Sequence, residues 1–103
     1  MIEIAPNCTE IVANWDDAKL YCMFLEVDGK KGWRLPTKDE LNEIYYTTQQ
    51  YHYLHTVMLV NTYYWSATED SPDLAWFRDM SNGYPYSGFK GNHGYVRAVR
   101  DVS

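Results

Sequence analysis

The side chains of this chain best suited to metal binding or nucleophilic chemistry are few: His52, His55, His93, Cys8 and Cys22. His52 and His55 stand at i and i+3, a spacing that can put two imidazoles on one helix face. A zinc site needs about three or four protein ligands, and no third ligand stands at a matching distance, so no metal or other cofactor is expected. Cys8 and Cys22 show no CxxC spacing. One reading is a disulfide closing the intervening loop, worth about 3 kcal/mol. The favoured reading is two free thiols, because Cys22 falls on an apolar helical stripe and no export signal is seen. No histidine shares a motif with either cysteine, which argues against a thiol nucleophile. The chain is therefore not expected to be an enzyme.

Two charged features remain. The acidic stretch "ATEDSPD" offers Thr68, Glu69, Asp70 and Asp73, but calcium takes about six to eight oxygens, and a solvated turn is the favoured reading. Arg34, in "WRLPTKDE", could grip a carboxylate or phosphate. Beside a capped helix it is expected to pair instead with Glu40 or a sheet backbone group. The segment "FRDMSNGYPYSGFKGNHGY" is different in kind. It mixes tyrosine, serine, asparagine and glycine, the residues that binding surfaces use for rigid contact area and adaptable hydrogen bonds. Its candidate ligand-binding residues are Arg78, Asn82, Tyr84, Tyr86, Lys90, Asn92 and His93. The competing reading is a loop that packs its own aromatics, Phe89 and Tyr95 included, on a sheet.

These residues must be held by elements legible from pattern. "MIEIA" reads as a short strand ended by Pro6-Asn7. Asn14 is an N-cap with Asp16 and Asp17 in the first turn, and Trp15, Ala18, Cys22 and Leu25 form a helical stripe. Leu20 and Phe24 lie on another side, so this helix is expected to be covered on more than one face. "DGKKG" follows as a turn. Trp33-Arg34-Leu35 is extended, Pro36 disfavours helix at Leu35, and Thr37 with Glu40 forms a capping box. Leu41, Ile44 and Tyr45 continue that second helix, which should fade near Thr47-Thr48. "YHYLHTVMLVN" is ambiguous between strand and helix. "TYYWSAT" and "LAWFRDM" read as strands around an acidic loop, and Ser81-Asn82-Gly83 as a turn. "YPYSGFKGNHG" has too much glycine and proline for regular structure, and "YVRAVRDV" closes the chain as one strand. The predicted architecture is α+β, with helices on an antiparallel sheet.

Bulk composition sets the boundaries. At 103 residues the chain is read as one domain, 1–103. Ten tyrosines and four tryptophans exceed what a small core absorbs, which implies aromatic surface. A net charge of −5 argues against a nucleic-acid partner. No apolar run is long enough to span a bilayer, so no membrane insertion is expected. The N-terminus shows no secretory pattern. The expected location is cytoplasmic or virion-associated, unless the chain is a trimmed module of a surface protein.

Five motifs in register, "WDDAKLYC", "GWRLPTKDEL", "YWSATE", "AW" and "VRAVR", resemble the Lcl C-terminal domain family of bacterial and phage proteins over roughly residues 14 to 100. More distantly the chain is similar to formylglycine-generating and sulfatase-modifying domains through the "RLPTxxE" turn. The resemblance implies a C-type-lectin-like fold: two helices packed on a twisted antiparallel sheet, with the N- and C-terminal strands paired. It gives Trp33, Leu35, Pro36, Thr37 and Leu41 the task of fixing the second helix on the sheet, with Trp65 and Trp76 in the sheet core. The chain lacks the C-terminal cysteines of the enzyme relatives, and also the Glu-Pro-Asn and Trp-Asn-Asp elements of sugar-binding lectins. The implied function is a non-enzymatic adhesion or ligand-binding module of a phage or bacterial assembly, taking a saccharide or a protein, with a homo-oligomer among the expected states. The alternative is a small stand-alone intracellular protein that inhibits or scaffolds a host protein.

Overall fold

The computed structural model describes residues 2–50 and 63–102, without the side chains of residues 7 and 47–50. "YHYLHTVMLVN", with His52 and His55, lies outside the described residues. Both helices begin as their sequences require. The Asn14 carboxamide oxygen accepts from the Asp17 N–H at 2.9 Å and opens α1 (Trp15–Phe24), which buries Trp15, Ala18 and Cys22. Thr37 opens α2 (Lys38–Gln50) with the expected reciprocal pair: its N–H donates to Glu40 Oε1 at 2.8 Å, and its Oγ1 accepts from the Glu40 N–H at 3.1 Å. α2 runs to Gln50, beyond the Thr47-Thr48 fade expected from β-branching. The expectation for the outer face of α1 fails. Leu20 and Phe24 are exposed, and Phe24 is 79% accessible, because nothing among the described residues packs on that side.

The strands are β1 (Ile2–Ile4), β2 (Ile11–Ala13), β3 (Tyr63–Ser71), β4 (Leu74–Asp79), β5 (Pro85–Phe89), β6 (Gly94–Val96) and β7 (Val99–Asp101). Five of them form one sheet in the order β2-β6-β3-β4-β5, while β1 and β7 pair antiparallel as a separate ribbon. The fold is α+β and its terminal strands do pair. The large sheet is mixed rather than antiparallel, because β3 and β6 run parallel where Tyr64 meets Tyr95. Four local expectations are corrected. β2 exists although its three residues carry little pattern. β3 runs through the acidic stretch to Ser71, leaving only Pro72-Asp73 as the turn. β5 is regular despite Gly88. "YVRAVRDV" is two strands in two sheets, broken at Arg97-Ala98. There buried Arg97 leaves the ladder to bond Glu10 at 2.8 Å, and Ala98 accepts from the Ala5 N–H at 2.9 Å.

Successive residues on a strand face opposite ways, so the sheet carries a core on each side. Trp65, Ala75 and Val96 pack with Trp15, Ala18, Cys22, Trp33 and Leu35. Tyr64, Met80 and Val99 pack with Leu41 and Ile44 of α2 on the other side, where Ile2 and Ile4 of β1 also press in. Trp76 is not in this core as expected. It is half-buried, with the Lys38 ammonium 3.8 Å from its ring centroid. Among the described residues no helix is long and apolar enough to cross a membrane.

Between the two cores runs "WRLPTKDE". Arg34 and Val99 exchange both backbone bonds, at 2.7 and 2.8 Å, and the Pro36 carbonyl accepts from Ala67 at 2.7 Å. The Arg34 guanidinium places its donors on Glu40 Oε1 and Oε2, Asp101 Oδ1 and Oδ2, and the Leu35 carbonyl, at 2.7–3.2 Å. Two carboxylate forks and one carbonyl use the whole planar group, which a lysine cannot imitate. The Arg34 hydrogen bonds pull the Glu40 carboxyl below its usual 4.5, overcoming the opposing effect of burial, and the Thr37 N–H assists. A carboxylate with a depressed folded-state pKa stabilises the fold above its unfolded pKa, and loses that effect as pH falls through the lower folded value. Glu40→Gln should therefore cost about 1–2 kcal/mol at neutral pH, held toward the low end by partial solvent access to the guanidinium. Denaturant melts should show that deficit shrinking below about pH 4.5.

Candidate functional site

Strand register builds the most distinctive surface on the molecule. Trp65 of β3 lies opposite Phe77 of β4, and Phe77 opposite Tyr86 of β5. Tyr63, two residues before Trp65, points to the same face. The Phe77 ring centroid lies 5.8 Å from Trp65 at 89°, 5.0 Å from Tyr63 at 71° and 5.8 Å from Tyr86 at 28°. Edge-to-face and offset contacts of this kind are the favoured aromatic geometries. Trp65 forms the buried foot of the row, its Nε1–H donating to the Ala13 carbonyl at 3.1 Å. Tyr63 and Tyr86 form the outer part, 48% and 41% accessible.

Two glycines make this packing possible. A Cβ on Gly88 would stand 2.7 Å from Phe77 Cε1, and one on Gly94 would stand 3.0 Å from Trp65 Nε1. Their value here is the absence of a side chain under a ring, not the loop flexibility their spacing suggests. At the end of the row the 79–84 turn is held by its own polar groups. Asp79 Oδ1 accepts from the Ser81 N–H at 2.8 Å and its hydroxyl at 2.5 Å, and Asn82 Oδ1 accepts from the Tyr84 N–H at 2.9 Å. Asn82 Nδ2 reaches the Tyr86 hydroxyl at 3.4 Å. The rim therefore presents a carboxamide and a phenol beside an aromatic face, a combination suited to a ligand with both C–H faces and hydroxyl groups.

The candidate residues read from sequence fall into separate places. Asn82, Tyr84 and Tyr86 come together at the β4–β5 turn. Lys90, Asn92 and His93 lie beyond the far end of β5, a strand of roughly 16 Å. Asn92 and His93 are exposed there. The Lys90 ammonium is already engaged by Glu69 Oε2 and the Pro72 carbonyl, both at 2.7 Å, and sits 4.3 Å from the Trp15 ring centroid. That pairing also holds the Glu69 carboxyl below its usual value. Arg78 is only 6% accessible and faces away from Phe77, opposite Pro85. Its Nη1 donates to the Gly83 carbonyl, its Nε meets no hydrogen-bond partner among the described residues, and burial lowers its pKa. Tyr63 and Phe77 were missed, because only strand pairing puts them beside Tyr86. The alternation of Tyr63 with Trp65 was the available hint.

Cys8 is exposed and Cys22 buried, both free, and burial pushes the Cys22 thiol up to about 12. Among the described residues no three His, Cys, Asp or Glu side chains are grouped to hold a metal ion. A model of the Lcl C-terminal domain family matches residues 4–100. The chain belongs to the Lcl C-terminal domain family. No curated protein matches it.

Two measurements check this description. In the native protein, iodoacetamide at about pH 8 should label Cys8 and leave Cys22 untouched until denaturant is added, since only the thiolate reacts. Gly88→Ala should displace the Phe77 ring, at a cost of about 1–3 kcal/mol. The ring-proton shifts of Phe77 and Tyr86 should move in NMR spectra, while those of Tyr64 in the opposite core stay put.

Proposed function

We propose that the domain is a non-enzymatic, C-type-lectin-like binding module of a phage or bacterial assembly, and that it takes a saccharide on the Tyr63–Phe77–Tyr86 row. The observation that carries this reading is the preformed row itself: two partly exposed phenol rings seated against Phe77 by strand register and by Gly88. Sugar rings present C–H faces that stack on such a surface, and Asn82 with the Tyr86 hydroxyl supplies hydrogen bonds at its edge. Rigid rings on paired strands lose little conformational entropy on binding, which favours a shallow site. A site of this size binds weakly by itself, so the module works in several copies, where avidity multiplies the affinity.

A glycan array probed with the domain on a multivalent carrier tests this directly. Wild type should select a defined set of glycans. Tyr63→Ala/Tyr86→Ala should lose them while staying folded, with its unfolding temperature lowered only by the loss of two ring contacts with Phe77 outside the buried cores. Each single substitution should weaken binding by about tenfold, equivalent to about 1.4 kcal/mol. A folded double variant that keeps full glycan binding would falsify the assignment of this surface.

A further inference from the structure

Asp79 is the last residue of β4, and the turn after it uses only part of its carboxylate. Oδ1 accepts from the Ser81 N–H and hydroxyl, while Oδ2 has no partner among the described residues and is open to solvent. No described cation pairs with Asp79. The nearby bases are committed elsewhere. Arg78, its neighbour in the chain, turns to the opposite face and donates to the Gly83 carbonyl, and Lys90 sits beyond the far end of β5 on Glu69.

Strand register puts this carboxylate among rings. Tyr63 of β3 is the direct partner of Asp79 across the sheet. On the other side the Asp79 N–H donates to the Tyr84 carbonyl at 3.1 Å, one step beyond the Arg78–Pro85 pair, so Tyr84 stands opposite Asp79 as well. Directly opposed residues share a face, with their Cβ atoms about 4.5–5.5 Å apart. Phe77, two residues back on β4, points the same way and has Tyr86 stacked beside it. Tyr63, Tyr84 and Tyr86 are all exposed. Rings and carboxylate thus lie on one side of one sheet, where a single compact ligand meets both.

That combination favours positive charge. Aromatic faces attract a cation, and an open carboxylate binds an ammonium through charge-assisted hydrogen bonds. A sugar hydroxyl can also donate to Oδ2, but only an ammonium neutralises the charge and gains from the rings at the same time. An acidic sugar meets repulsion from Asp79 and from a protein whose net charge is −5.

We infer, on the saccharide reading of the row, that the ligand is an amino sugar with a free, protonated amine. Its C–H face stacks on the Tyr63–Phe77–Tyr86 rings, and its ammonium sits against Asp79 Oδ2 between Tyr63 and Tyr84.

NMR titration of the whole chain with a β-linked glucosamine tetramer, its N-acetylated counterpart and tetralysine tests the inference. The glucosamine tetramer should shift the Tyr63, Asp79 and Tyr84 resonances and bind about tenfold more tightly than the acetylated one. Asp79→Asn keeps an Oδ1 acceptor for Ser81, so the turn is preserved. It should erase the preference for the free amine and flatten the salt dependence of binding. Tetralysine, with as much charge but no sugar face, should bind far more weakly. No binding of the glucosamine tetramer, equal or better binding of the acetylated one, or a preference that survives in folded Asp79→Asn overturns the inference. So does tetralysine binding as well as the glucosamine tetramer, because the site then answers to charge alone, as a basic protein segment supplies it. If the two tetramers bind equally and both move the Tyr63, Phe77 and Tyr86 ring protons, the amine is wrong and the row stands. If the glucosamine tetramer binds undiminished to Tyr63→Ala/Tyr86→Ala, the row itself is wrong.

Discussion

The fold depends on one extended corner whose backbone and side chain answer to different neighbours. The backbone of Arg34 pairs with Val99 in both directions, and its guanidinium grips Glu40 at the start of α2 and Asp101 at the end of β7. Two residues later the Pro36 carbonyl accepts from β3, and the Lys38 N–H reaches the Thr68 hydroxyl at 2.9 Å. Within one short stretch, α2, β3 and β7 are set in position together. Pro36 holds Leu35 extended and out of the helix, and the Thr37–Glu40 box begins the helix just after it. Glu40 serves both as a cap and as the carboxylate of an ion pair, so the start of α2 and its attachment to the sheet cannot be separated.

A sheet covered on both sides needs its strands to alternate between two cores, and β3 does so at Tyr64 and Trp65. The buried polar link between the two sheets follows the same economy. Glu10 accepts from the Tyr64 hydroxyl and from Arg97, so a carboxylate, a phenol and a guanidinium that would each be costly to bury singly satisfy one another. Among the described residues this covering leaves parts of the surface open. α1 packs over Trp65, Ala75 and Val96, leaving the Phe77–Tyr86 end of the same face bare. Its own outer flank stays bare as well. The aromatic row and this bare flank therefore share one physical origin, a single short helix laid on a sheet too wide for it to cover.

The two surfaces differ in chemistry. The row offers flat rings and neutral hydrogen-bonding groups, suited to a ligand with hydroxyls and C–H faces. The outer flank of α1 offers the exposed side chains of Leu20, Met23 and Phe24. The match to the Lcl C-terminal domain family spans residues 4–100, and the corner from Trp33 to Leu41 lies inside it.

Local pattern was enough for whatever depends on nearest neighbours in the chain. The Asn14 cap, the Trp15–Ala18–Cys22 stripe, the Thr37–Glu40 box, the Arg34–Glu40 pair and the turn at Gly83 all lie within one or two helical turns of their partners, and all were legible. The surplus of tyrosine also pointed to an aromatic surface near the C-terminus. What the sequence could not supply was register. Gly88 read as a loop residue because its reason, the Phe77 ring above it, belongs to another strand. Tyr63 and Phe77 join Tyr86 only once β3, β4 and β5 are aligned. Arg78 and Lys90 read as free cations until the same alignment turned one inward and laid the other on Glu69 and Pro72. Side-chain type and short-range spacing are properties of the chain; which face a strand residue takes, and which ring lies beside it, is set by pairing between distant segments, and only the tertiary structure decides it.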